Sequence, residues 1–209
     1  MRRIAAPTLC FLLVFATAGI SSAQFRSPAP QLKPAPAPLA PQRKAADLIR
    51  KQEGLKINQS LLKQTTTDNT HIVVSIPKQR AYLMIGEQIV IDAPISSGKR
   101  GHSTPTGHFS VLEKDPNHHS SLYGDYVDRG GRTVRAGVSA RIDSAPSGTH
   151  FQGAAMKWFL RLTGDGVGMH IGILPGYPAS HGCVRESVDG AKLFYDHARV
   201  GTTVDVGDY

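Results

Sequence analysis

Chemistry in this 209-residue chain concentrates in Ser180-His181-Gly182-Cys183-Val184-Arg185. Cys183 is one of two cysteines, and the other, Cys10, lies inside an apolar N-terminal run. A thiol attacks a carbonyl carbon as its thiolate, and an unperturbed thiol is only ~3% ionised at neutral pH. A nearby imidazole and backbone N–H groups at a turn or helix start raise that fraction. Gly182 permits a tight turn with backbone donors facing a developing oxyanion. A helix starting near Ser187 is expected to bring its positive end close to Cys183, and Arg185 adds a fixed charge. The local pattern therefore predicts a reactive thiolate at Cys183.

The proton acceptor has to come from elsewhere, because His181 precedes the thiol by only two residues with a glycine between. His170 is the candidate. It follows Val167-Gly168-Met169, a strand pattern, and the loop containing Pro175, Gly176 and Pro178 returns the chain so that Cys183 faces it. The plainer alternatives are a satisfied structural histidine at 170, a structural ion pair at Arg185 and a turn residue at Ser180. Nine histidines, including His118-His119, raise the thought of a zinc hydrolase, but no H-E-x-x-H spacing is present. His102, His108, His118, His119 and His150 read as polar loop residues. Gly98-Lys99-Arg100-Gly101 lacks the frame of a phosphate-binding loop and fits a hairpin turn. This chemistry requires no metal and no organic cofactor.

The elements that must position these residues begin near Thr70. Strands are predicted over 72–76, 80–85, 88–95, 108–112, 166–173 and 202–206, with Gly86-Glu87 as a two-residue hairpin turn. Residues 114–153 are polar and glycine-rich with little periodicity, which reads as an irregular lid or insertion. Trp158, Phe159 and Leu160 read as core. One helix is predicted from an N-cap at Ser187 through Val188, Ala191, Phe194, Tyr195 and Ala198, with Gly201 as its stop.

The rest of the chain addresses location. Residues 1–23 have the layout of a secretory signal, with Arg2 and Arg3, an apolar run and Ser21-Ser22-Ala23 at the cleavage position. The alternative is a retained anchor, the only route by which membrane contact is expected. Residues 24–42 form a Pro/Ala-rich linker and 43–69 a short helical accessory segment, ahead of a domain over 70–209. The chain carries 24 basic and 16 acidic residues, so removal of Arg2 and Arg3 leaves a net charge of +6. That charge is dispersed and accompanies no nucleic-acid-binding signature. Export leaves Cys183 without an intramolecular partner, and a single thiol specifies no oligomeric state.

The segment Ser180–Arg185, preceded by Met169-His170-Ile171-Gly172, resembles the YkuD-type L,D-transpeptidases of bacterial cell walls. Ser97-Gly98 and Thr104-Pro105-Thr106-Gly107 resemble that family's strand-end and turn motif, and the likeness covers about 70–206. The loop from His170 to Ser180 is shorter than in many members. The resemblance implies a mostly-β, β-sandwich-like catalytic domain with one or two short helices behind a Pro-rich linker. It implies peptidoglycan stem peptides as partners, with Cys183 as nucleophile and His170 as proton donor and acceptor. His181, Gly182 and Cys183 would surround the oxyanion, and Arg185 and Ser180 would contact substrate. The implied reaction is acyl transfer from a tetrapeptide stem to an amine, in the periplasm or cell wall. An L,D-carboxypeptidase using water as acceptor and a non-catalytic wall-binding module are the alternatives.

Overall fold

A computed structural model describes residues 51–209. The signal, the linker and the start of the accessory segment lie outside these described residues. In chain order the elements are β1 (Lys56–Ile57), α1 (Gln59–Leu62), β2 (His71–Ser75), β3 (Arg80–Ile85), β4 (Gln88–Ser96), β5 (Gly107–Ser110) and β6 (Glu113–Asp115). They continue with β7 (His119–Val127), β8 (Thr133–Ser139), β9 (His150–Ala155), β10 (Phe159–Arg161), β11 (Gly168–Ile171), β12 (Val184–Glu186), α2 (Val188–His197) and β13 (Thr203–Gly207). The fold is mostly β, as expected from the sequence.

Ten strands form one curled sheet in the order β5-β13-β2-β3-β4-β12-β11-β10-β6, with β1 beside β4. The long strand β4 belongs to both halves. Its first part pairs with β3, whereas Ile95 and Ser96 pair with Glu186 and Arg185 of β12. The inner faces of both halves and α2 enclose one core, which includes Ile72, Val74, Leu83, Ile91, Leu160, Met169, Val184, Phe194 and Val204. The β-branched alternation in β2 and β13 places Ile72, Val74, Val204 and Val206 inward in a parallel pair. Gly86 takes φ +55 at the first turn position, so the β3–β4 hairpin has the two-residue turn its sequence predicts.

Residues 51–63 lie against this sheet. The Gln52 amide donates to the Gln79 and Ile95 carbonyls, and Asn58 caps the single turn of α1.

Three expectations require correction. The 114–153 region is ordered as a three-stranded antiparallel sheet, β8-β7-β9, rather than as irregular chain. Polar residues and glycines hide its alternation. At Gly124 a Cβ would lie 2.1 Å from the Gln152 carbonyl oxygen, and at Gly153 a Cβ would lie 2.0 Å from that of Ser120. Those two glycines let β7 and β9 approach, so they are structural requirements and not signs of a loop. Second, α2 begins as predicted, with Ser187 Oγ accepting from the Gly190 N–H, but it ends at His197 and not at Gly201. Lys114 Nζ caps that end by donating to the carbonyls of Tyr195 and Ala198. Third, the start of α2 is not beside Cys183. Strand β12 intervenes, and its extended rise of ~3.3 Å per residue carries the helix N-terminus on the order of 13 Å away.

Candidate active site

Parallel pairing of β11 with β12 fixes which side chains share a face. Met169 lies opposite Val184, and His170 opposite Arg185. Met169 and Val184 are both 0% exposed and point into the core. Period-two alternation therefore sends His170 and Arg185 to the outer face, and Cys183, one step before β12, falls beside Gly168 on that same face. The sulfur and the imidazole are diagonal neighbours on adjacent strands, with a Cα separation of roughly 7–8 Å. The sequence-predicted nucleophile and base are thus brought together, and the sulfur is half-buried rather than sealed among aliphatics.

The outer face continues across β10 and β6, where Phe159 pairs with Asp115 and Arg161 with Glu113, while Arg161 also pairs with Gly168. One transverse row reads Asp115, Phe159, His170, Arg185 and Ser96, and the row beside it reads Glu113, Arg161, Gly168 and Cys183. Gly168 leaves space for the Phe159 ring, whose Cε2 would be 2.4 Å from a Cβ at that position. Phe159 forms the floor of the site, stacked on its other side by His118 at 4.2 Å between ring centres.

His170 is 8% exposed, and its Nδ1 donates to the Ile171 carbonyl at 2.7 Å. A carbonyl can only accept, so the proton sits on Nδ1 and the Nε2 lone pair is left free as a base. Burial drives the pKa of His170 down to about 4, with the Arg185 and His118 charges acting in the same direction and the Ile171 hydrogen bond opposing. Burial pushes the Cys183 thiol up. A hydrogen bond from the Gly168 N–H, together with Arg185 and Arg161, pulls it down, and Asp165 raises it. The thiol contacts the Gly166 carbonyl at 3.8 Å. The thiolate predicted from sequence is therefore not the resting form, which is a neutral thiol beside a neutral imidazole. The physical reason is desolvation of the sulfur together with the distant helix start.

The loop carrying the nucleophile is held from beneath. Ser180 is 1% exposed, and its hydroxyl donates to the Cys183 carbonyl while accepting from the Gly182 N–H. Expected among substrate contacts, Ser180 instead closes the turn behind the nucleophile. Gly182 supplies the turn at φ +120, and its N–H is engaged by Ser180 Oγ at 3.1 Å. The Cys183 N–H, by contrast, has no acceptor among the described residues. The two upstream motifs are part of this frame. Thr104 Oγ1 donates to the Gly182 carbonyl at 2.7 Å and accepts from the Gly98 N–H at 2.8 Å, and Ser97 O accepts from the Ala179 and Ser180 N–H groups.

Arg185 is half-buried with its stem against Gly172, where a Cβ would lie 2.6 Å from its Cγ. It makes no ion pair among the described residues, so the structural ion-pair reading has no partner there. His181 is exposed in the turn before Cys183. Its ring stacks on Tyr123 at 4.6 Å and meets His102 edge-on at 4.8 Å. Burial, then the Lys99, His102 and Arg185 charges, hold its pKa below the usual value. The other histidines are dispersed: His108 bonds Asp205 and His118 bonds Asp115. No three His, Cys, Asp or Glu side chains converge as a metal-binding group among the described residues.

Sequence reading missed Tyr123, Phe159 as floor, and Arg161. Tyr123 reaches the site through a bulge. His119 pairs with Ala155 and Gly124 with Gly153, leaving Ser120–Tyr123 of β7 unmatched against β9. Ser120 Oγ accepts from the Leu122 and Tyr123 N–H groups and holds that bulge. An aromatic stack contributes ~0.5–1.5 kcal/mol. Tyr123→Ala is accordingly expected to raise the His181 pKa by exposing the ring, while Tyr123→Phe retains the parental value. Imidazole NMR titration checks this, and an unmoved His181 titration in Tyr123→Ala would refute the stacking role.

Residues 69–206 match the family model for YkuD, the L,D-transpeptidase catalytic domain. No curated protein matches the chain. Among solved structures, an L,D-transpeptidase from Mycobacterium smegmatis is similar at 24% identity and a TM-score of 0.50, over 66% of this chain and 58% of that one. L,D-transpeptidases from Stackebrandtia nassauensis (17% identity, TM-score 0.48, 68% and 57% covered) and Xylanimonas cellulosilytica (21%, 0.48, 68% and 62%) are also similar. The chain thus spans less than two thirds of each of these proteins, and likeness at this identity bears on fold alone. With two thirds of its length inside the family model, the chain belongs to the YkuD family of L,D-transpeptidase catalytic domains.

Proposed function

We propose that this protein is a peptidoglycan L,D-transpeptidase with Cys183 as nucleophile and His170 as its proton acceptor and donor. The observation that carries the reading is the shared outer face of the thiol and a neutral imidazole whose Nδ1 is tied to a carbonyl. As Sγ attacks the carbonyl of the L-centre of diaminopimelate in a tetrapeptide stem, His170 Nε2 takes the thiol proton. The C–N bond then breaks, and terminal D-Ala leaves as an amine with that proton. A second amine, the diaminopimelate side chain of a neighbouring stem, attacks the thioester and gives its proton to His170, and the sulfur recovers it. The unpartnered Cys183 N–H supports an oxyanion donor at the nucleophile itself. The unpaired Arg185 is the docking group for a substrate carboxylate. Neither metal nor organic cofactor enters this sequence of steps. Export belongs to the proposal on the strength of residues 1–23, which places the reaction in the periplasm or cell wall.

Incubation with a defined disaccharide-tetrapeptide, followed by intact-protein and product mass measurement, tests it. The expected result is a tripeptide acyl adduct on Cys183 and cross-linked dimers. Tripeptide product without dimer identifies an L,D-carboxypeptidase instead. Binding without adduct or product identifies a non-catalytic wall-binding module.

A further inference from the structure

We infer that Arg161 is a specificity-determining residue: it faces Cys183 across Gly168, on a different side from Arg185, and it selects acyl donors bearing a second free carboxylate on the β10 side of the scissile bond. This deepens the transpeptidase reading and rests on it for the identity of the donor.

The placement follows from the pairing. Arg161 lies opposite Gly168, and Gly168 lies beside Cys183, so Arg161 stands two strands across the outer face from the sulfur while Arg185 stands two residues along the sulfur's own strand. No side chain grows from Gly168 to separate Arg161 from the sulfur, and the Phe159 ring fills that space as floor. The Arg161 guanidinium carbon lies over this ring at 5.2 Å, a contact that holds the group at the ring. Its Nη1 is 3.5 Å from the position a Gly166 Cβ would take, and the Gly166 carbonyl contacts the thiol. Both guanidiniums act on the sulfur's ionisation in the same direction.

The hydrogen bonding of Arg161 leaves it ready for a ligand. Nε donates to Glu113 Oε2, whereas Nη1 and Nη2 have no hydrogen-bond partner among the described residues. A guanidinium anchored through Nε and open at both terminal nitrogens suits bidentate capture of a carboxylate. Its side chain is 23% exposed, enough for contact with a ligand and dry enough for the charge to count. Asp165 also acts on Cys183, and its carboxylate accepts from Thr163 Oγ1. Attraction on this side is therefore short-ranged and selective, not a general positive field. The matching donor has one carboxylate on the residue whose acyl group is transferred and one on the residue leaving.

Alkylation by iodoacetate and iodoacetamide reads the anion site without requiring turnover, since both reagents form the same S–C bond and differ in charge. Arg161→Gln is expected to lower the iodoacetate-to-iodoacetamide rate ratio about threefold, the size typical of a partly screened charge pair. Arg161→Lys restores the ratio, and Glu113→Gln, which removes the counter-charge, raises it. With tetrapeptide donors, Arg161→Gln is expected to raise KM with little change in kcat, and this difference disappears for a donor with the second carboxylate amidated. An unchanged alkylation ratio in Arg161→Gln overturns the inference, as does an equal loss on amidated and free donors. A wild-type protein that shows the charge preference but transfers no acyl group sustains the anion site and refutes the transpeptidase reading.

Discussion

Cys183→Ala is expected to reduce acyl transfer by on the order of 10⁴-fold or more, because loss of a nucleophile removes the covalent route altogether. The domain should remain folded. The sulfur is half-buried at the end of a loop whose frame is built from Ser180, Gly182 and Thr104, none of which uses it. The stability loss should stay near ~1 kcal/mol, about that of one buried methylene. His170→Gln is expected to cost nearly as much activity, and the double variant no more than either single one, since the two groups act in one proton transfer. The pH dependence follows from the same pair. His170 is neutral above about 4, so proton acceptance is available across the neutral range and kcat/KM falls only as pH drops through about 4. A free imidazole would place that acid limb near 6.5. An acid limb near 6.5, or Cys183→Ala retaining a tenth of parental turnover, would remove the buried pair from the mechanism.

The proposed catalytic pair is legible in sequence because its chemistry is carried by residue type. A thiol directly after Ser-His-Gly and a histidine ahead of a proline-containing loop admit few other readings. The strands around Ile72–Ile95 were visible for a related reason, since alternating β-branched residues report a half-buried strand directly. The thiolate was not foreseeable as wrong. Its forecast depended on how close the helix start lies, which in turn depended on whether Val184–Glu186 was strand or turn. Arg161 and Tyr123 were invisible for a deeper reason. Arg161 reaches the site only because residue 161 pairs with 168 and 168 lies beside 183, and Tyr123 only because four residues of β7 bulge against β9. Contacts of that kind are set by register, and periodicity within one strand carries no register. The β7–β9 sheet escaped notice because glycines chosen for close backbone approach look the same, in sequence, as glycines chosen for turns.

Register also explains the residue with the largest expected effect on stability. Glu186 reads in sequence as an ordinary polar residue between Arg185 and Ser187. Alternation along β12 turns it inward with Val184, against Ile95 of β4, where it is 0% exposed and neither carboxyl oxygen has a hydrogen-bond partner among the described residues. Burial alone raises its pKa well above the usual carboxylate value, and no neighbouring charge contributes. The folded protein therefore holds a proton that the unfolded chain releases once pH exceeds ~4.5. Stability is then lost as pH rises, at ~1.4 kcal/mol per unit, until the folded carboxyl itself ionises. His170 acts in the opposite sense. Its folded pKa lies below the ordinary 6.5, so stability is lost as pH falls from about 6.5 to about 4. Together the two groups confine maximal stability to a band between roughly pH 4.5 and 6.5. Glu186→Leu is expected to stabilise the protein at pH 7 by about 1–3 kcal/mol, the cost of an unpartnered buried polar group, and to flatten only the alkaline side of the curve. Glu186→Gln should flatten that side equally while remaining less stable than Glu186→Leu, because an unpartnered amide stays buried. Urea denaturation from pH 5 to 8 measures all three proteins. A Glu186→Leu advantage that fails to grow with pH across that range would mean the carboxyl is not an isolated buried acid.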